Sequence, residues 1–236
     1  CHFYWTSMNL RKILYFILKL ATDRSAILKG VFGESGGAVT GRDTPIGPAY
    51  GEFYLDVPEP KRDVETAKQL LAEAGYSGGL DITLYAMNLS PVPTIAQIWR
   101  EQLAEAGVNV DIQIVPSDVY YSELWLEVDF GITDWSPRPY PQHYLDLAYV
   151  TGVVWNESHW SDPELDELAK AAAKEMDHQK RVSIYHKIQE IFMERGPIIV
   201  PYFSDNLWAT GSYVKGFRPT SSMGSGHDMR WVYLEE

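Results

Sequence analysis

The sequence predicts an α/β fold in which a mixed sheet is flanked by helices. Apolar residues alternate at 80–85 and again at 108–114, and the segment between them, 90–106, has helical spacing. This strand–helix–strand order, with a connection long enough to join parallel strands, is typical of a right-handed βαβ unit. Two further segments with helical spacing, 163–175 and 178–195, add helices around the sheet.

The first fifty residues are predicted to contain one helix between irregular segments. Residues 1–9 show no periodicity and are interpreted as a tail or a damaged start. Apolar residues recur at helical spacing from Leu10 to Leu28, so residues 10–29 are predicted to form a single, unusually apolar helix. Residues 30–51 are rich in Gly and Pro and are interpreted as a loop. Because this loop follows no strand and opens no helix, a phosphate-cradling role is rejected.

The hydrophobic pattern becomes clearer from Asp63 onward. An amphipathic helix is predicted to follow Asp63 and to end at Gly75, because Gly is favoured just after a helix C-terminus. The βαβ segments come next. Ser117 is then a candidate N-cap for a short helix, and Phe130 begins an apolar strand that is expected in the same sheet and that ends at Asp134.

The C-terminal part is predicted to be helical first and extended afterwards. One helix begins with Pro163 at its first position, and the next follows a cap at Asp177. Residues 198–203 are interpreted as a buried strand with 207–210 as its hairpin partner. Residues 230–233 are predicted to form a terminal strand.

Charge and cysteine content exclude several classes of protein. The chain of 236 residues has a net charge of −12 and a pI near 4.9. Nucleic acid and anionic membrane surfaces bind clustered Lys and Arg, so neither is an expected partner. Cys1 is the single cysteine, which excludes an internal disulfide. A cysteine at a mature N-terminus is compatible with a lipid anchor, and a truncated start is the alternative. The sequence has no run of about 18 apolar residues, the length that spans a membrane.

The stretch 129–160 is where we expect a ligand to bind. An apolar strand ends in it, and three prolines between 137 and 141 then hold the backbone extended. Loops on a rigid scaffold carry much of protein function. The candidate ligand-binding residues are Trp135, Arg138, Tyr140, His143, Trp155 and Asn156. The alternative for Trp135 and Trp155 is that both are core residues at the edge of a domain.

Arg138 is the sharpest signal in this stretch, because it lies between two prolines in a chain with few positive charges. A fixed guanidinium can hold a carboxylate or a phosphate through two parallel hydrogen bonds. The alternative is a solvated loop arginine that pairs with one of the many acidic residues of the chain.

The sequence shows no clear catalytic or metal-binding site. HExxH does not occur, and the GESGG run at 33–37, although it has the spacing GxSxG, lies in the Gly/Pro-rich loop that follows no strand and opens no helix. His143 and His159 lie near Glu157 and Asp162, but tight pairs of zinc ligands such as HxH or CxxC do not occur. We therefore expect no metal and no cofactor. His143 is interpreted as a loop histidine that touches ligand or solvent rather than as a general base.

Four stretches, taken in order, resemble one known family. They are LATDRSAILKGVF with TPIGPAY, VETAKQLLAEAGY before LDITLY, IAQIWREQLAEAGVNVDIQIVPSDVY, and DPELDELAKAAAKEMDHQKRVSIYHKIQEIFMERGPIIVPYF. The run from Asp63 to Tyr233 resembles the C-terminal lobe of the family 5 extracytoplasmic solute-binding proteins. These are the dipeptide, oligopeptide and nickel receptors of ABC importers.

The resemblance implies a periplasmic-binding-protein-like lobe of a two-lobed receptor that closes on a small-molecule or peptide-like ligand. It also implies a periplasmic or extracytoplasmic location, an ABC importer permease as partner, and no enzymatic activity. Family members are about twice as long, so one lobe is expected here. The expected regions are an irregular N-terminal segment with one apolar helix at 1–50, an α/β ligand-binding lobe at 51–215, and a C-terminal tail with a terminal strand at 216–236.

Two departures from the family pattern bear on the ligand. Dipeptide-binding members place an Asp three residues after a Trp to hold the ligand's amino group, and here Arg138 follows Trp135 at that spacing. Those members also place an Arg just after the strand that corresponds to 80–87, whereas residues 88–91 contain none. The resemblance therefore predicts a ligand that presents an acidic group to Arg138, and poor binding of simple dipeptides.

Two other classes of function stay open. A stand-alone α/β interaction domain would form a homodimer through the face left by a missing lobe, and an exposed apolar patch rimmed by polar residues would support it. A hydrolase that uses His143 with a nearby acid is the third class, but the sequence shows no positioned nucleophile for it.

Overall fold

The computed structural model of the chain describes residues 2–5, 11–34, 36–219 and 229–235. Cys1, the predicted helix start at residue 10 and residues 220–228 of the predicted tail lie outside the described residues. Within the described ranges, no helix is both long and apolar enough to cross a membrane.

A mixed sheet, of five strands in the described residues, forms the centre of the fold. In spatial order its strands are β4 (Val108–Val115), β3 (Leu80–Met87), β5 (Phe130–Thr133), β1 (His2–Trp5) and β6 (Ile198–Ile199). Strand β3 is parallel to β4, with Leu80 opposite Val108, and it is parallel to β5. Strand β1 is antiparallel to both β5 and β6. The α/β fold with a mixed sheet and the predicted parallel pair are confirmed.

Helices cover this sheet. Within the described part of the chain they are α1 (Arg11–Ala21), α2 (Arg24–Phe32), α3 (Val64–Glu73), α4 (Val92–Glu105), α5 (Ser117–Val119), α6 (Pro141–Tyr144), α7 (Pro163–Lys174) and α8 (His178–Arg195). Short helical segments of 3-10 or π type occupy Pro48–Phe53, which is kinked at Gly51, and Tyr120–Leu124, Leu145–Tyr149 and Met229–Trp231. The described residues also form two small antiparallel sheets, which pair β2 (Ala38–Thr40) with β7 (Tyr202–Ser204) and β8 (Val214–Lys215) with β9 (Tyr233–Leu234).

Aspartate caps begin the helices that the sequence predicted best. The carboxylate of Asp63 accepts the backbone N–H of Thr66 at 3.0 Å at the start of α3. Asp162 caps α7, with Pro163 in the first turn, and Asp177 caps α8. Each cap satisfies an N–H that the helix itself leaves free. These three helix starts are confirmed.

The prediction of one helix over residues 10–29 is wrong, because the chain breaks into α1 and α2. Asp23 lies at the break with an extended backbone (φ −93°, ψ 99°), and its carboxylate accepts the N–H of Ala26 at 2.8 Å. An Asp side chain stabilises a helix when it is the N-cap. Inside a helix it is unfavourable, because it competes for the hydrogen bonds of the backbone. The apolar spacing is retained on both sides, so periodicity alone did not reveal the break.

The tail predicted for residues 1–9 is also wrong where the structure describes it. Residues 2–5 form β1, which lies between β5 and β6. Its pairing partners, β5 and β6, are distant in the sequence, so no local pattern predicts the strand. The predicted Gly/Pro-rich loop at 30–51 contains the short strand β2 and begins a 3-10 turn.

The predicted hairpin after Gly196 is wrong as well. Residues 198–203 divide into β6 and β7, which belong to different sheets, and the partner of β7 is β2. Residues 207–210 are exposed and form no strand. Ser117 is likewise not a cap, because Pro116 precedes α5 and no side chain caps it.

Among the described residues, the buried apolar side chains form two clusters. One packs α1 to α4 against the sheet, and the other lies around α7, α8 and the segments that follow β5. The first cluster contains Leu14 and Ile27 as well as Leu84, so residues from both sides of the predicted domain boundary at residue 50 pack together. The boundaries at residues 50 and 215 stay a prediction.

Lys19 connects the two clusters and has an unusual environment for an ammonium group. It is 6% exposed, and its Nζ donates to the carbonyl oxygens of Phe192 at 2.7 Å and Gly196 at 3.0 Å. These carbonyls end α8, so Lys19 satisfies acceptors that the helix leaves free. Burial lowers the pKa of Lys19 to about 8, even though the carboxylate of Asp43 nearby acts in the opposite direction.

This pKa predicts a rise in stability in mildly alkaline solution. Between pH 8 and about 9.5 the folded chain loses the proton of Lys19, whereas the unfolded chain still binds it, so the free energy of unfolding should increase by about 1–2 kcal/mol. Above about pH 10 the trend should reverse, because burial raises the pKa of Tyr149 and Tyr202 in the folded chain. Urea unfolding at a series of pH values measures this.

Two replacements make that measurement specific. Lys19→Met should abolish the rise between pH 8 and 9.5, because the titrating group is gone. Lys68→Met is the matched control, since Lys68 lies exposed on α3 beside Glu65. An equal rise in the Lys19→Met variant would show that another group causes it.

Candidate ligand-binding site

A cavity of about 310 Å³ lies where the segment after β5 meets the Pro48–Phe53 turn and the chain from β6 to β7. It combines aromatic and aliphatic walls with a few polar groups, which is the usual composition of a small-molecule site. Its lining residues are Thr44, Pro45, Gly47, Pro48, Ala49, Tyr50, Asp134, Trp135, Ser136, Pro137, Arg138, Pro139, Tyr144, Tyr149, Ile198, Val200, Tyr202, Phe203, Ser204 and Asn206. Two of the predicted site residues, Trp135 and Arg138, are among them.

The backbone of Arg138 is held by two tyrosines. The hydroxyl of Tyr50 donates to the carbonyl oxygen of Arg138 at 2.7 Å. The N–H of Arg138 faces the same hydroxyl at 3.2 Å and that of Tyr144 at 3.3 Å. Because Pro137 and Pro139 fix the backbone on either side, this segment is rigid without belonging to a helix or strand.

The guanidinium of Arg138 lies over two indole rings. Its central carbon is 5.3 Å from the ring centroid of Trp135 and 5.9 Å from that of Trp155. The two rings contact each other at 6.1 Å. In the part of the chain that the structure describes, Arg138 forms no ion pair, and its buried Nε has no hydrogen-bond partner. The site therefore offers a positive charge on an aromatic support.

A buried carboxylate, that of Glu157, accepts hydrogen bonds from two of the indole side chains near the site. It is 1% exposed and accepts hydrogen bonds from Trp125 Nε1 at 2.5 Å, Trp135 Nε1 at 3.1 Å and Thr133 Oγ1 at 3.0 Å. Sequence analysis named Glu157 as a neighbour of His143 and His159 but gave it no role in ligand binding, since nothing local separates this glutamate from the other acids of the chain.

Four of the predicted site residues lie outside the lining. His143 is exposed on α6. Tyr140 packs against Phe53 and Tyr185, at 5.3 and 6.3 Å between ring centroids. Asn156 is buried, donates to the carbonyl oxygen of Trp160 at 2.8 Å and accepts the N–H of the same residue, so its amide serves the local turn. Trp155 borders the site through its contact with Arg138 without lining the cavity.

Tyrosine hydroxyls, which sequence analysis missed, supply much of the remaining polarity. Burial, with the Asp134 carboxylate nearby, raises the pKa of Tyr202 to about 12. Burial and the contact with Tyr144 raise the pKa of Tyr50 as well. Both hydroxyls therefore keep their protons at neutral pH and are hydrogen-bond donors.

Metal ligation was the other possibility for this region. Over the described residues, no group of three or more His, Cys, Asp or Glu side chains is arranged to hold a metal ion. The expectation of no metal and no cofactor stays a prediction.

Comparison with known proteins decides the family. The sequence profile described as "Bacterial extracellular solute-binding proteins, family 5 Middle" matches residues 18–156, which is more than half of the chain. The chain belongs to this family. Family 5 proteins are extracellular or periplasmic solute-binding components of ABC transporters. The predicted resemblance is confirmed.

Relatives of this family 5 chain carry different ligand names. The "Di/tripeptide-binding protein 1" of Pseudomonas aeruginosa (strain UCBPP-PA14) is 30% identical over 77% of this chain and 35% of its own. The "Heme-binding protein A" of Haemophilus influenzae is 25% identical over 89% of this chain and 38% of its own. The chain thus spans little more than a third of the curated relatives it matches.

A solved structure supports the fold of the family 5 chain. The oligopeptide-binding protein AppA from Bacillus subtilis, in complex with a nonapeptide, superposes with a TM-score of 0.82 and 22% identity, over 100% of this chain and 50% of the other. The periplasmic-binding-protein-like lobe is confirmed at the level of the fold.

Proposed function

We propose that this chain is part of the substrate-binding component of a bacterial ABC importer, and that it binds a small peptide-like or acidic solute without chemically changing it. The family membership and the di/tripeptide-binding relative support a peptide-like solute. An ABC importer permease is the partner that this function requires. A lipid anchor on Cys1 stays a prediction.

The single observation that carries the choice of ligand is the environment of Arg138. A guanidinium that lies on two indoles keeps its N–H edges for a planar acceptor, and carboxylate and phosphate groups match that geometry with two hydrogen bonds. The buried Nε of Arg138 has no partner, and such a group is costly until a ligand satisfies it. We therefore propose that the guanidinium of Arg138 binds the acidic group of the solute.

The rest of the cavity suits the body of a small solute. Its volume of about 310 Å³ is at the lower end of ligand-binding cavities. Tyr202 adds a hydroxyl group, and Ile198 and Val200 add apolar walls. A short peptide with an acidic side chain or a compact acidic solute has this mixture of groups.

Thermal unfolding of the purified chain with matched probes tests this proposal. We expect Gly-Glu and glucuronate to raise the unfolding temperature by about 5–10 °C at 100 times the dissociation constant, which corresponds to about 2.7 kcal/mol. Gly-Leu and glucose, which lack the extra acidic group, should give much smaller shifts. Arg138→Ala should weaken binding of the acidic probes about 10–100-fold, the value of a charge-assisted hydrogen bond.

Arg181→Ala is the matched control for that replacement. Arg181 also lies over two aromatic rings, at 5.7 Å from Phe53 and 5.5 Å from Tyr140, and its Nε is also buried without a partner. It does not line the cavity, so its loss should leave probe binding unchanged. Tight binding of Gly-Leu, or acidic-probe binding that survives Arg138→Ala, would contradict the proposal.

A second candidate function, an interaction domain that forms a homodimer, draws support from exposed apolar side chains near the C-terminus. They are Leu207, Trp208, Tyr213, Trp231, Tyr233 and Leu234, between 47% and 81% exposed. Contiguous exposed apolar surface marks many interaction sites. Light scattering separates the two candidates: a dimer that Leu234→Glu dissociates favours this one, and a monomer excludes it.

A further inference from the structure

Glu157 lies outside the cavity, yet three side chains from different segments converge on it. Trp125 follows the π turn after α5, Thr133 ends β5, and Trp135 belongs to the loop that lines the cavity. Both carboxylate oxygens are used: Oε1 accepts from Trp135 and Thr133, and Oε2 accepts from Trp125 and Thr133. Glu157 therefore fixes the relative positions of these segments.

A carboxylate that is 1% exposed is costly unless donors satisfy it. Indole N–H groups are donors only, and each lies in the plane of its ring. A hydrogen bond to the indole nitrogen therefore fixes where the ring plane lies, which apolar packing alone leaves less well defined. This applies to Trp125 and Trp135 alike.

The ring that Glu157 fixes is also the ring on which Arg138 rests. Trp135 uses its N–H edge for Glu157 at 3.1 Å and its face for the guanidinium at 5.3 Å. Cations are attracted to the negative face of an indole, and a carboxylate at the N–H makes that face more negative. Trp155, the second ring under Arg138, contacts both Trp125 and Trp135, at 6.0 and 6.1 Å.

We infer that Glu157 is a positioning residue for ligand recognition: through Trp135 it holds the guanidinium of Arg138 where an acidic solute meets it. This inference rests on the proposed function, because it takes Arg138 as the anchor of the acidic group. Glu157 itself does not touch the solute. Of the two indoles that donate to Glu157, Trp135 is the one that contacts Arg138 directly, so we expect its effect on affinity to pass mainly through Trp135.

Calorimetric titration of the full chain with glutarate and with Gly-Glu tests the inference. Glu157→Gln keeps the shape of the side chain but removes its charge and one acceptor, and we expect it to weaken both probes about tenfold. Trp135→Phe keeps a ring under Arg138 but removes the donor, so it should weaken them by a similar factor. Both replacements break the hydrogen bond between Glu157 and Trp135. The double variant should therefore bind the probes no more weakly than whichever single variant has the lower affinity.

Thr133→Val is the matched control, since it removes another donor to the same carboxylate without changing Trp135. It should leave both dissociation constants within about twofold of the wild type, even if it lowers stability comparably. The indole N–H NMR signals give an independent measurement: in Glu157→Gln, those of Trp125 and Trp135 should move away from their hydrogen-bonded positions.

The possible failures are distinguishable. If the wild type binds neither probe, the proposed function fails and the inference fails with it. If Arg138→Ala abolishes binding while Glu157→Gln keeps the wild-type affinity, the proposed function stands and the positioning role is wrong. The same holds if the effects of Glu157→Gln and Trp135→Phe multiply. If Glu157→Gln does not fold, wild-type affinity in Trp135→Phe overturns the inference.

Discussion

Replacing Asp43 with Ala is expected to lower the free energy of unfolding by about 3–5 kcal/mol, because it leaves a buried guanidinium without its carboxylate. Asp43 and Arg24 form an ion pair at 2.5 Å, with side chains 3% and 0% exposed. The same carboxylate accepts the N–H of Val200 at 3.0 Å. Since Thr44 and Val200 line the cavity, the variant should also lose probe binding. Urea unfolding followed by circular dichroism measures the stability.

Two further variants show whether the loss comes from the unpaired charge. Arg24→Met combined with Asp43→Leu removes both charges and should recover much of the stability, since apolar pairs of similar volume often replace buried ion pairs without loss. Lys170→Met breaks the exposed pair with Glu167 and should change the stability by less than about 1 kcal/mol. An Asp43→Ala variant as stable as the wild type would contradict the prediction.

Replacing Trp99 with Ala is expected to cost about 3–5 kcal/mol, because it leaves a large cavity beneath the sheet. Trp99 is fully buried on α4, and its ring centroid is 5.3 Å from that of Phe130. Its Nε1 donates to Thr22 Oγ1 at 2.7 Å, at the break between α1 and α2. Trp99 thus connects the crossover helix, the strand that leads to the site, and the N-terminal helices. Chemical unfolding measures the loss.

A graded series checks that mechanism. Trp99→Phe keeps most of the packing and loses the hydrogen bond, so it should cost about 1–3 kcal/mol. Trp208→Ala, at a position that is 47% exposed, should change stability by about 0.5 kcal/mol. Equal losses in Trp99→Phe and Trp99→Ala would mean that the hydrogen bond, rather than the buried volume, is responsible.

Local signals predicted the βαβ unit and the helix starts well. The alternating apolar residues of β3 and β4 and the aspartate caps of α3, α7 and α8 act within a few residues, and the structure contains them all. The break at Asp23 within residues 10–29 was missed because the apolar residues keep helical spacing on both sides of it. That spacing predicted one helix, although Asp23 is a possible N-cap.

The candidate site was only partly predictable, for a related reason. Arg138 and Trp135 were found because prolines and aromatic residues beside them in the sequence mark a rigid loop. Tyr50 was not, because it acts on that loop from a distant segment. Glu157 was named without a role in binding, because its hydrogen bonds to Trp125, Thr133 and Trp135 form only in the folded chain. His143 and Asn156 were selected for their chemistry, and their surroundings direct them to solvent and to a local turn.

The sequence by itself determined the fold class, the parallel strand pair, the family and the loop that carries Arg138, since each depends on residues close together in the chain. Only the tertiary structure decided that β1 joins the sheet, that β7 pairs with β2, and that Glu157 fixes Trp135 beneath the guanidinium. Distant strands pair, and a buried charge finds its hydrogen-bond partners, according to which groups the folded chain brings together. Local periodicity does not predict these contacts.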